Sequence, residues 1–322
     1  MQAKGPDLPD IPPREIVILG AGFIGLSFAA AFRDGGWSVA LAEPDAARRA
    51  AAPALVDAQT AAISLAGLAR DAPGALRVVE NAEADLRTAT LVLECGPESL
   101  SVKRAIFTDL LVQTSLGAVI ATASSAITVS DIVSDVSLQA RCIVAHPVNP
   151  PSVLRVIELV PAPGTLPATC RTAEEVFRQV GFTPVTLGHE IEGFVLNRLQ
   201  GAVLREAYRL VEEGVADVEG IDAIMRMGLG PRWALSGPFE TAELNTPGGI
   251  RAHAARMGPA YRRMGEARGE TVAWTETLVD RVDKERRAIC QEIDLPGRAA
   301  WRANAVARLV ALRDSLLRGP DA

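Results

Sequence analysis

The chain has 322 residues, a net charge of −6 and 48% hydrophobic residues, which is typical of a globular protein large enough for two domains. Because it is acidic and has no long basic run, we predict neither nucleic acid nor an anionic membrane as a partner. No apolar stretch reaches the ~20 residues of a membrane span, and the Pro-rich start lacks the apolar core of a signal peptide. Four cysteines without a CxxC pattern predict reduced thiols in a cytoplasmic protein and no metal site.

A short β-branched run at residues 16–19 predicts the first strand, and the glycine motif GAGFIG follows it at once. Ile24, Phe28 and Phe32 then recur every four positions, which predicts a helix. The motif therefore lies between a strand and a helix, the setting in which GxGxxG binds a dinucleotide.

Each glycine of the motif has a physical role. Gly20 permits the tight turn, Gly22 lets the backbone approach a pyrophosphate, and Gly25 lets the helix pack on the strand. The helix N-terminus then faces the phosphate charge. Phe23 and Ile24, inside the motif, are expected to contact the cofactor with it.

The second predicted strand, residues 38–42, ends in Glu43, which lies 23 positions after Gly20. An acid at this distance binds the ribose hydroxyls of the adenosine and repels a 2′-phosphate. No arginine follows Glu43 immediately, so the sequence predicts NAD rather than NADP. The alternative is a glycine-rich turn without a ligand.

Strands and helices continue to alternate through the first half of the chain. The predicted strands are residues 76–80, 89–95, 117–123 and 140–146, and the predicted helices are residues 46–68, 100–113 and 129–136. This alternation predicts an α/β fold with a doubly wound, Rossmann-type parallel sheet. Ser124, Ser125 and His146 come at or just after strand ends, so we expect them to face the nucleotide crevice.

From Gly193 onward the pattern is helical, and no strand is predicted after Glu192. The first helix should end near Gly214 and the next should begin at Asp217, followed by helices at about residues 248–265, 271–293 and 298–317. We therefore predict an NAD-binding Rossmann domain at residues 1–190 and an all-α substrate and dimerisation domain at residues 191–322.

The long first helix has an apolar face formed by Leu196, Leu199, Val203, Ala207, Leu210 and Val211. A helical half with an open apolar face predicts a homodimer, although the same face could instead cover the first domain.

His146 ends one apolar run, and Glu158 lies in the next one, between Ile157 and Leu159. An unpaired carboxylate in such a run would be costly, so a pair with His146 is expected. The pair is either a catalytic base with its orienting acid or a buried structural pair.

At HPVNPP, GFVLNRLQ and GPFE the sequence resembles the L-3-hydroxyacyl-CoA dehydrogenase family, over roughly residues 16–250. The stretches RCIVAHPVNPPSVLRVIELVPAP and RLVEEGVADVEGID resemble the branch of that family that comprises lambda-crystallin and L-gulonate 3-dehydrogenase. The resemblance implies an NAD-dependent dehydrogenase of a small L-3-hydroxy acid.

The resemblance also implies site residues. The family's catalytic positions fall on Ser125, His146, Glu158 and Asn197, with Ser124 as the neighbouring alternative to Ser125. Its cofactor contacts fall on Glu43, Glu98, Lys103 and Asn149, and substrate contacts on Ser125, Asn197 and Arg232. Alcohol oxidation needs a proton acceptor of near-neutral pKa, which His146 supplies, and Glu158 would fix its tautomer. Ser125 and Asn197 would hydrogen-bond the substrate oxygen.

Two departures point to a small free acid. Family members that use coenzyme A carry a basic helical hairpin after the second strand, whereas this region here is short and alanine-rich, with Arg48, Arg49 and Arg70 expected to be solvated. Arg232, expected in a loop, would bind the substrate carboxylate; the alternative is a surface arginine stacked on Trp233. Carnitine, a short 3-hydroxyacyl-CoA, and a non-catalytic crystallin-like protein remain alternatives, the last disfavoured by the intact catalytic set.

Overall fold

The computed structural model describes residues 14–317 except residues 71, 236, 245–248, 269–276, 278–283, 285–287 and 289–290. Within the described residues the chain divides into two compact units. The first runs to Arg198 and includes Val306–Val310, and the second comprises Leu199–Ala305 and the residues from Ala311 onward.

The first unit is built on one eight-stranded sheet with the strand order β3-β2-β1-β4-β5-β6-β7-β8. The strands are β1 (Glu15–Leu19), β2 (Ser38–Ala42), β3 (Leu76–Val79), β4 (Leu91–Glu94), β5 (Val119–Thr122), β6 (Cys142–Pro147), β7 (Val156–Pro161) and β8 (Thr183–Thr186). The helices between them are α1 (Phe23–Asp34), α2 (Ala46–Leu65), α3 (Leu100–Gln113), α4 (Val129–Ile132) and α5 (Pro167–Gln179). Short 3₁₀ turns lie at Asp85–Arg87 and Val136–Arg141.

Helices cover both faces of the sheet, which confirms the doubly wound α/β fold. Alternate residues of β1 show why, since Ile16 and Ile18 enter one apolar core and Val17 enters the other. Phe28 and Phe32 of α1 pack in the first core with ring centroids 6.5 Å apart.

One strand pair departs from the predicted parallel arrangement, because β6 and β7 are antiparallel. Their connection, residues 148–155, is shorter than the dozen or so residues that a parallel crossover needs, so the chain must reverse. The reversal puts His146 directly opposite Glu158 in the strand register. Every other strand pairing is parallel.

The sequence analysis predicted neither α5 nor β8, and it described β7 only as an apolar run. The strand β8 has the sequence TPVT, with a proline and little burial, so it carries neither a β-branched run nor a buried face. Predicted helix ends were also too long, since α2 ends at Leu65 and α4 ends at Ile132.

The second unit is helical, and no strand occurs in its described residues. It contains most of α6 (Leu196–Glu212), then α7 (Val218–Ile224), a π-helical turn at Met225–Leu229, α8 (Gly230–Leu235), α9 (Pro238–Leu244), α10 (Gly249–Arg268), a 3₁₀ turn at Glu292–Asp294 and α11 (Leu295–Leu317). The predicted helix at residues 271–293 falls almost entirely outside the described residues.

The predicted turn between α6 and α7 is confirmed. Gly214 has a φ of +71°, a conformation that glycine adopts without strain after a helix C-terminus. Asp217 caps α7, and its side chain accepts a hydrogen bond of 2.8 Å from the amide of Gly220. In the described part of the chain, no helix combines the length and apolar character needed to cross a membrane.

Candidate active site

The glycine motif forms a tight turn in which a side chain at Gly20 or Gly25 would clash with the backbone. A Cβ at Gly20, whose φ is +105°, would lie 2.8 Å from the carbonyl oxygen of Cys95, and one at Gly25 would lie 1.9 Å from that of Gly20. Gly22, which caps α1, has open space around its Cα. These residues therefore leave bare backbone and a helix N-terminus facing a cavity, as a pyrophosphate requires.

Glu43 lies in the wall of this cavity, which has a volume of about 690 Å³ and is also lined by Gly20 and Gly22. The carboxylate accepts hydrogen bonds from the backbone amides of Ala21, at 2.8 Å, and Asp45, at 3.0 Å. Glu43 thus ties the end of β2 to the glycine turn and presents its negative charge to the space where the adenosine ribose of NAD would bind.

The expectation that all three arginines near α2 are solvated is wrong for Arg49. Its guanidinium is half-buried and donates to the carbonyl oxygens of Glu43, at 2.8 Å, and Pro44, at 2.9 Å. These bonds hold the segment after β2. Arg48 is exposed and lines the cavity, and Arg70 is exposed and donates to the carbonyl of Gln179 at 2.7 Å.

A buried ion pair that sequence reasoning missed lies beside the cofactor cavity. The ammonium of Lys103, only 1% exposed, donates to the two carboxylate oxygens of Glu94 at 3.1 and 2.8 Å and lies 3.4 Å from Glu98. Glu94 also accepts from the hydroxyl of Thr122 at 2.7 Å and the amide of Gly96 at 2.7 Å. The signal was a carboxylate at the end of the apolar run LVLE, the same signal that drew attention to Glu158.

The structure separates the two candidate serines. The Ser124 hydroxyl is buried, donates to Glu98 at 2.6 Å and accepts from the amide of Ile127 at 2.8 Å. Ser125 is exposed and lines the cavity that contains His146. Burial opposes ionisation of Glu98, but the Ser124 hydroxyl and the charge of Lys103 outweigh it and lower the pKa of Glu98.

His146 and Glu158 form a buried, hydrogen-bonded pair. Nδ1 of His146 lies 2.7 Å from Oε2 of Glu158, and the two side chains are 7% and 5% exposed. The second oxygen, Oε1, accepts from the amides of Val195, at 2.8 Å, and Leu196, at 2.9 Å. Burial alone would raise the pKa of Glu158, but the bonds from His146 and the two amides lower it below its ordinary value.

A second cavity, of about 280 Å³, is lined by His146 together with Ile24, Glu98, Ser125 and Asn149, among others. Asn197 joins this group, because its side-chain amide donates to the Ser125 carbonyl oxygen at 3.0 Å. The structure thus brings the predicted Ser125, His146, Glu158 and Asn197 together.

Since Glu158 occupies Nδ1 of His146, the remaining ring nitrogen, Nε2, is the one that can exchange a proton with a substrate.

Phe23, which was predicted to contact the cofactor, is the first residue of α1, and its side chain is 51% exposed.

Arg232 lies in a helix, α8, and not in the loop that was expected. The family resemblance implied a loop, whereas helical residues run from α7 through the π-helical turn at Met225–Leu229 into α8 without a break. Arg232 is exposed and belongs to the second unit, so its place in the substrate site stays a prediction.

The first unit combines a Rossmann sheet, a glycine turn suited to a dinucleotide and a buried histidine–glutamate pair beside it. This combination defines an NAD-binding oxidoreductase. The chain belongs to the 3-hydroxyacyl-CoA dehydrogenase family. The family's NAD binding domain matches residues 15–191, and its C-terminal domain matches residues 193–288.

The chain is similar over nearly its whole length to curated proteins of two different names. It is 34% identical to the lambda-crystallin homolog of Bos taurus over 316 residues, which cover 94% of this chain and 97% of the relative. It is 33% identical to the L-carnitine dehydrogenase of Streptomyces griseus over 316 residues, covering 96% and 90%. Among solved structures, FHMPC 5-dehydrogenase matches with a TM-score of 0.79 at 24% identity over 94% of this chain and 99% of that one, a likeness of fold.

Proposed function

We propose that the protein oxidises the 3-hydroxyl group of a small, free L-3-hydroxy acid resembling L-gulonate, with NAD as the hydride acceptor and the His146–Glu158 pair as the general base. The observation that carries the proposal is the 2.7 Å contact between these two side chains at the wall of a cavity that Ser125 shares. A histidine buried only for packing would have no need to border that cavity.

The chain's own residues would divide the work of the reaction. Nε2 of His146 takes the hydroxyl proton, and Glu158 stabilises the imidazolium that results and keeps Nδ1 protonated. The Ser125 hydroxyl and the Asn197 amide hydrogen-bond the substrate oxygen and hold it near Nε2. Bound NAD supplies the hydride acceptor, and the glycine turn, Glu43, Glu98 and Asn149 would hold it, whereas Lys103 acts through its carboxylate partners.

The connection between β2 and β3 supports a free acid as the substrate. In the family members that use coenzyme A, a basic helical hairpin between the second and third strands is expected to bind the tail of the coenzyme. Here a single helix, α2, fills the connection, and its basic residues are Arg48 and Arg49. Arg49 is engaged by backbone carbonyls, which leaves Arg48 as the basic residue of α2 free to face solvent.

Carnitine is the second candidate substrate, because the chain is as similar to an L-carnitine dehydrogenase as to a lambda-crystallin homolog. Carnitine is also a 3-hydroxy acid, so the same base and the same hydroxyl contacts would serve. A short 3-hydroxyacyl-CoA is the third, since a relative named 3-hydroxyacyl-CoA dehydrogenase is 34% identical over 253 residues. A crystallin-like, non-catalytic role is disfavoured by the assembled proton acceptor.

The proposal includes a homodimer that works in the cytoplasm. Apolar residues of α6 remain exposed in the single chain, with Leu199 at 59%, Val203 at 38% and Leu204 at 38%. Their burial by a second copy would give the apolar face of this helix a partner. Analytical ultracentrifugation of the wild type and of Leu199→Asp would show whether this face holds two chains together.

The experiment that tests the activity measures NADH formation with L-gulonate, L-3-hydroxybutyrate, L-carnitine and 3-hydroxybutyryl-CoA. We expect the highest kcat/KM with a free hydroxy acid. A strong preference for the thioester would reject the substrate class, and no turnover of any compound would favour the non-catalytic role.

A further inference from the structure

We propose that the turn from Gly193 to Leu196 positions the catalytic pair: its backbone holds Glu158 by the oxygen that His146 does not use, and the ring of Phe194 holds the imidazole plane. This inference rests on the proposed role of His146 as the general base. It assigns a positioning function to Phe194 and to two backbone amides, none of which touches the reacting atoms.

The backbone of this turn is unusual. Phe194 has a φ of +50°, and it is the one non-glycine residue in the described chain with a positive φ. The preceding Gly193 has a φ of +76°. Left-handed backbone is disfavoured for a bulky aromatic residue and persists only where the surroundings over-determine it. The turn is held by its contacts, which include the second apolar core, where Phe194 packs, and the catalytic pair.

The first set of contacts fixes the carboxylate. The amides of Val195 and Leu196, at the N-terminus of α6, both donate to Oε1 of Glu158, at 2.8 and 2.9 Å. Two donors on one oxygen prevent the carboxylate from rotating, so the other oxygen stays directed at Nδ1 of His146. Donors at a helix start also favour the anionic form that the pair needs.

The second contact fixes the imidazole. The Phe194 ring is fully buried, and its centroid lies 5.3 Å from that of His146 with the planes inclined at 53°. The φ of +50° turns this side chain inward while the following amides point at Glu158, so one backbone conformation serves both contacts. With Glu158 on one edge and an aromatic ring on one side, the imidazole has little freedom to rotate.

Among the described residues, few charged groups lie near the pair. Glu158 is opposite His146 on β6 and beside Val185 on β8, and the turn offers it backbone amides. The cavity next to His146 is also lined by Glu98 and Lys103, which lie within 3.4 Å of each other. Removal of an amide that binds Glu158 should therefore change the pH dependence of the reaction that the pair catalyses.

The test compares Leu196→Pro with Leu196→Ala. Both variants remove the leucine side chain, but only proline removes the N–H that binds Glu158, at the first helical position where proline is otherwise tolerated. We expect Leu196→Pro to have a kcat ~10–100-fold below that of Leu196→Ala, with KM and NADH affinity within a few fold of each other. The acidic limb of the pH profile should move to higher pH, because a carboxylate with fewer donors stabilises the imidazolium more strongly.

Phe194→Leu tests the ring separately and keeps the test valid if the proline variant does not fold. We expect kcat to fall ~10-fold with NADH affinity and melting temperature retained in the presence of NADH. Equal kcat and pH profiles in the two Leu196 variants, together with wild-type kcat in Phe194→Leu, would overturn the inference, as would a loss of kcat in Leu196→Pro without any movement of the acidic limb. Failure of the proposed function is distinguishable, because the wild type would then oxidise no free hydroxy acid, and failure of the base role is distinguishable, because His146→Gln would then keep the wild-type kcat.

Discussion

His146 and Glu158 face each other across the one antiparallel strand pair of the sheet, in direct register and with a hydrogen bond of 2.7 Å. Directly opposed residues of an antiparallel pair carry their side chains on the same face of the sheet. The twelve positions that separate the two residues in the sequence are thus two strand ends and a short reversal, and the pair follows from the topology.

Replacement of either member should stop proton abstraction and leave the fold intact. We expect His146→Gln to lower kcat by ~10²–10⁴-fold, because a glutamine amide has no basic nitrogen that could accept the hydroxyl proton. Glu158→Gln should also lower kcat, by ~10²-fold or more, since an amide neither stabilises the imidazolium nor fixes its tautomer. Steady-state kinetics measure both effects, and a fluorescence titration with NADH serves as the folding control. Near-normal kcat in both variants would make the pair structural.

The lowered pKa of Glu158 predicts how stability depends on pH. A carboxyl group whose pKa is lower in the folded than in the unfolded state stabilises the fold above its unfolded pKa of ~4.3. That contribution is lost as the pH falls through the folded pKa, when the carboxylate is protonated in both states. Melting temperatures from pH 7 downward should therefore fall less steeply for Glu158→Gln than for the wild type below about pH 4–5. Parallel curves would contradict this prediction.

Glu43 should determine the choice of cofactor. A buried carboxylate that meets the 2′-phosphate of NADPH costs ~2 kcal/mol or more, so we expect NADH to bind at least ~30-fold more tightly than NADPH. Glu43→Gln is the informative variant, because a glutamine oxygen can still accept from the amide of Ala21 while the charge is gone. The difference between the affinities for NADH and NADPH should be smaller in this variant than in the wild type. Glu43→Ala should narrow it too, but at a cost in NADH affinity, because the Ala21 amide loses its acceptor. Equal affinities in the wild type would refute the prediction.

The buried pair of Lys103 and Glu94 should matter for stability more than for direct cofactor contact. Lys103→Met leaves the carboxylate of Glu94 buried without its partner, which costs ~3–5 kcal/mol of unfolding free energy. The double variant Glu94→Gln, Lys103→Met should recover a large part of that loss, because the uncompensated charge is removed. Urea unfolding of the three proteins without cofactor measures this. A double variant no more stable than Lys103→Met would contradict the explanation that the uncompensated charge of Glu94 causes the loss.

The sequence was sufficient for the parts of the site that lie at strand ends. Hydrophobic periodicity places the ends of β1, β2, β5 and β6, and parallel strands bring those ends to one edge of the sheet, which is why the positions of Glu43, Ser125 and His146 at that edge could be predicted. The sequence could not show the features of the site that depend on side-chain geometry. Ser124 and Ser125 are identical and adjacent, so the sequence could not show that Ser124 is buried and Ser125 exposed.

Two of the elements that the sequence analysis missed, β8 and α8, each contain a proline: Pro184 lies in a strand at the edge of the sheet, and Pro231 lies in α8, directly after the π-helical turn at Met225–Leu229. At the edge of the sheet a strand residue can turn its N–H to solvent, so proline costs little in β8. Glu94 was overlooked because its partner, Lys103, is a full helix turn into α3, and the sequence gives no sign that a lysine there is buried.

Arg232 should bind the carboxylate of the substrate, and this prediction decides the substrate class. A 3-hydroxy acid carries its carboxylate two carbons from the reacting carbon, and a planar forked guanidinium can hold that group in one orientation, which a lysine cannot. A charge-assisted hydrogen bond contributes ~1.5–3 kcal/mol, so Arg232→Ala should reduce kcat/KM for a free hydroxy acid by at least ~10–100-fold, and Arg232→Lys should recover only part of the loss. NADH affinity should not change. The matched control is Arg226→Ala, which removes an exposed arginine of the same unit that pairs with Glu219 at 2.6 Å and should leave kcat/KM as in the wild type. If Arg232→Ala behaves like Arg226→Ala with every free acid, Arg232 is a surface residue beside Trp233 and the carboxylate must be bound elsewhere.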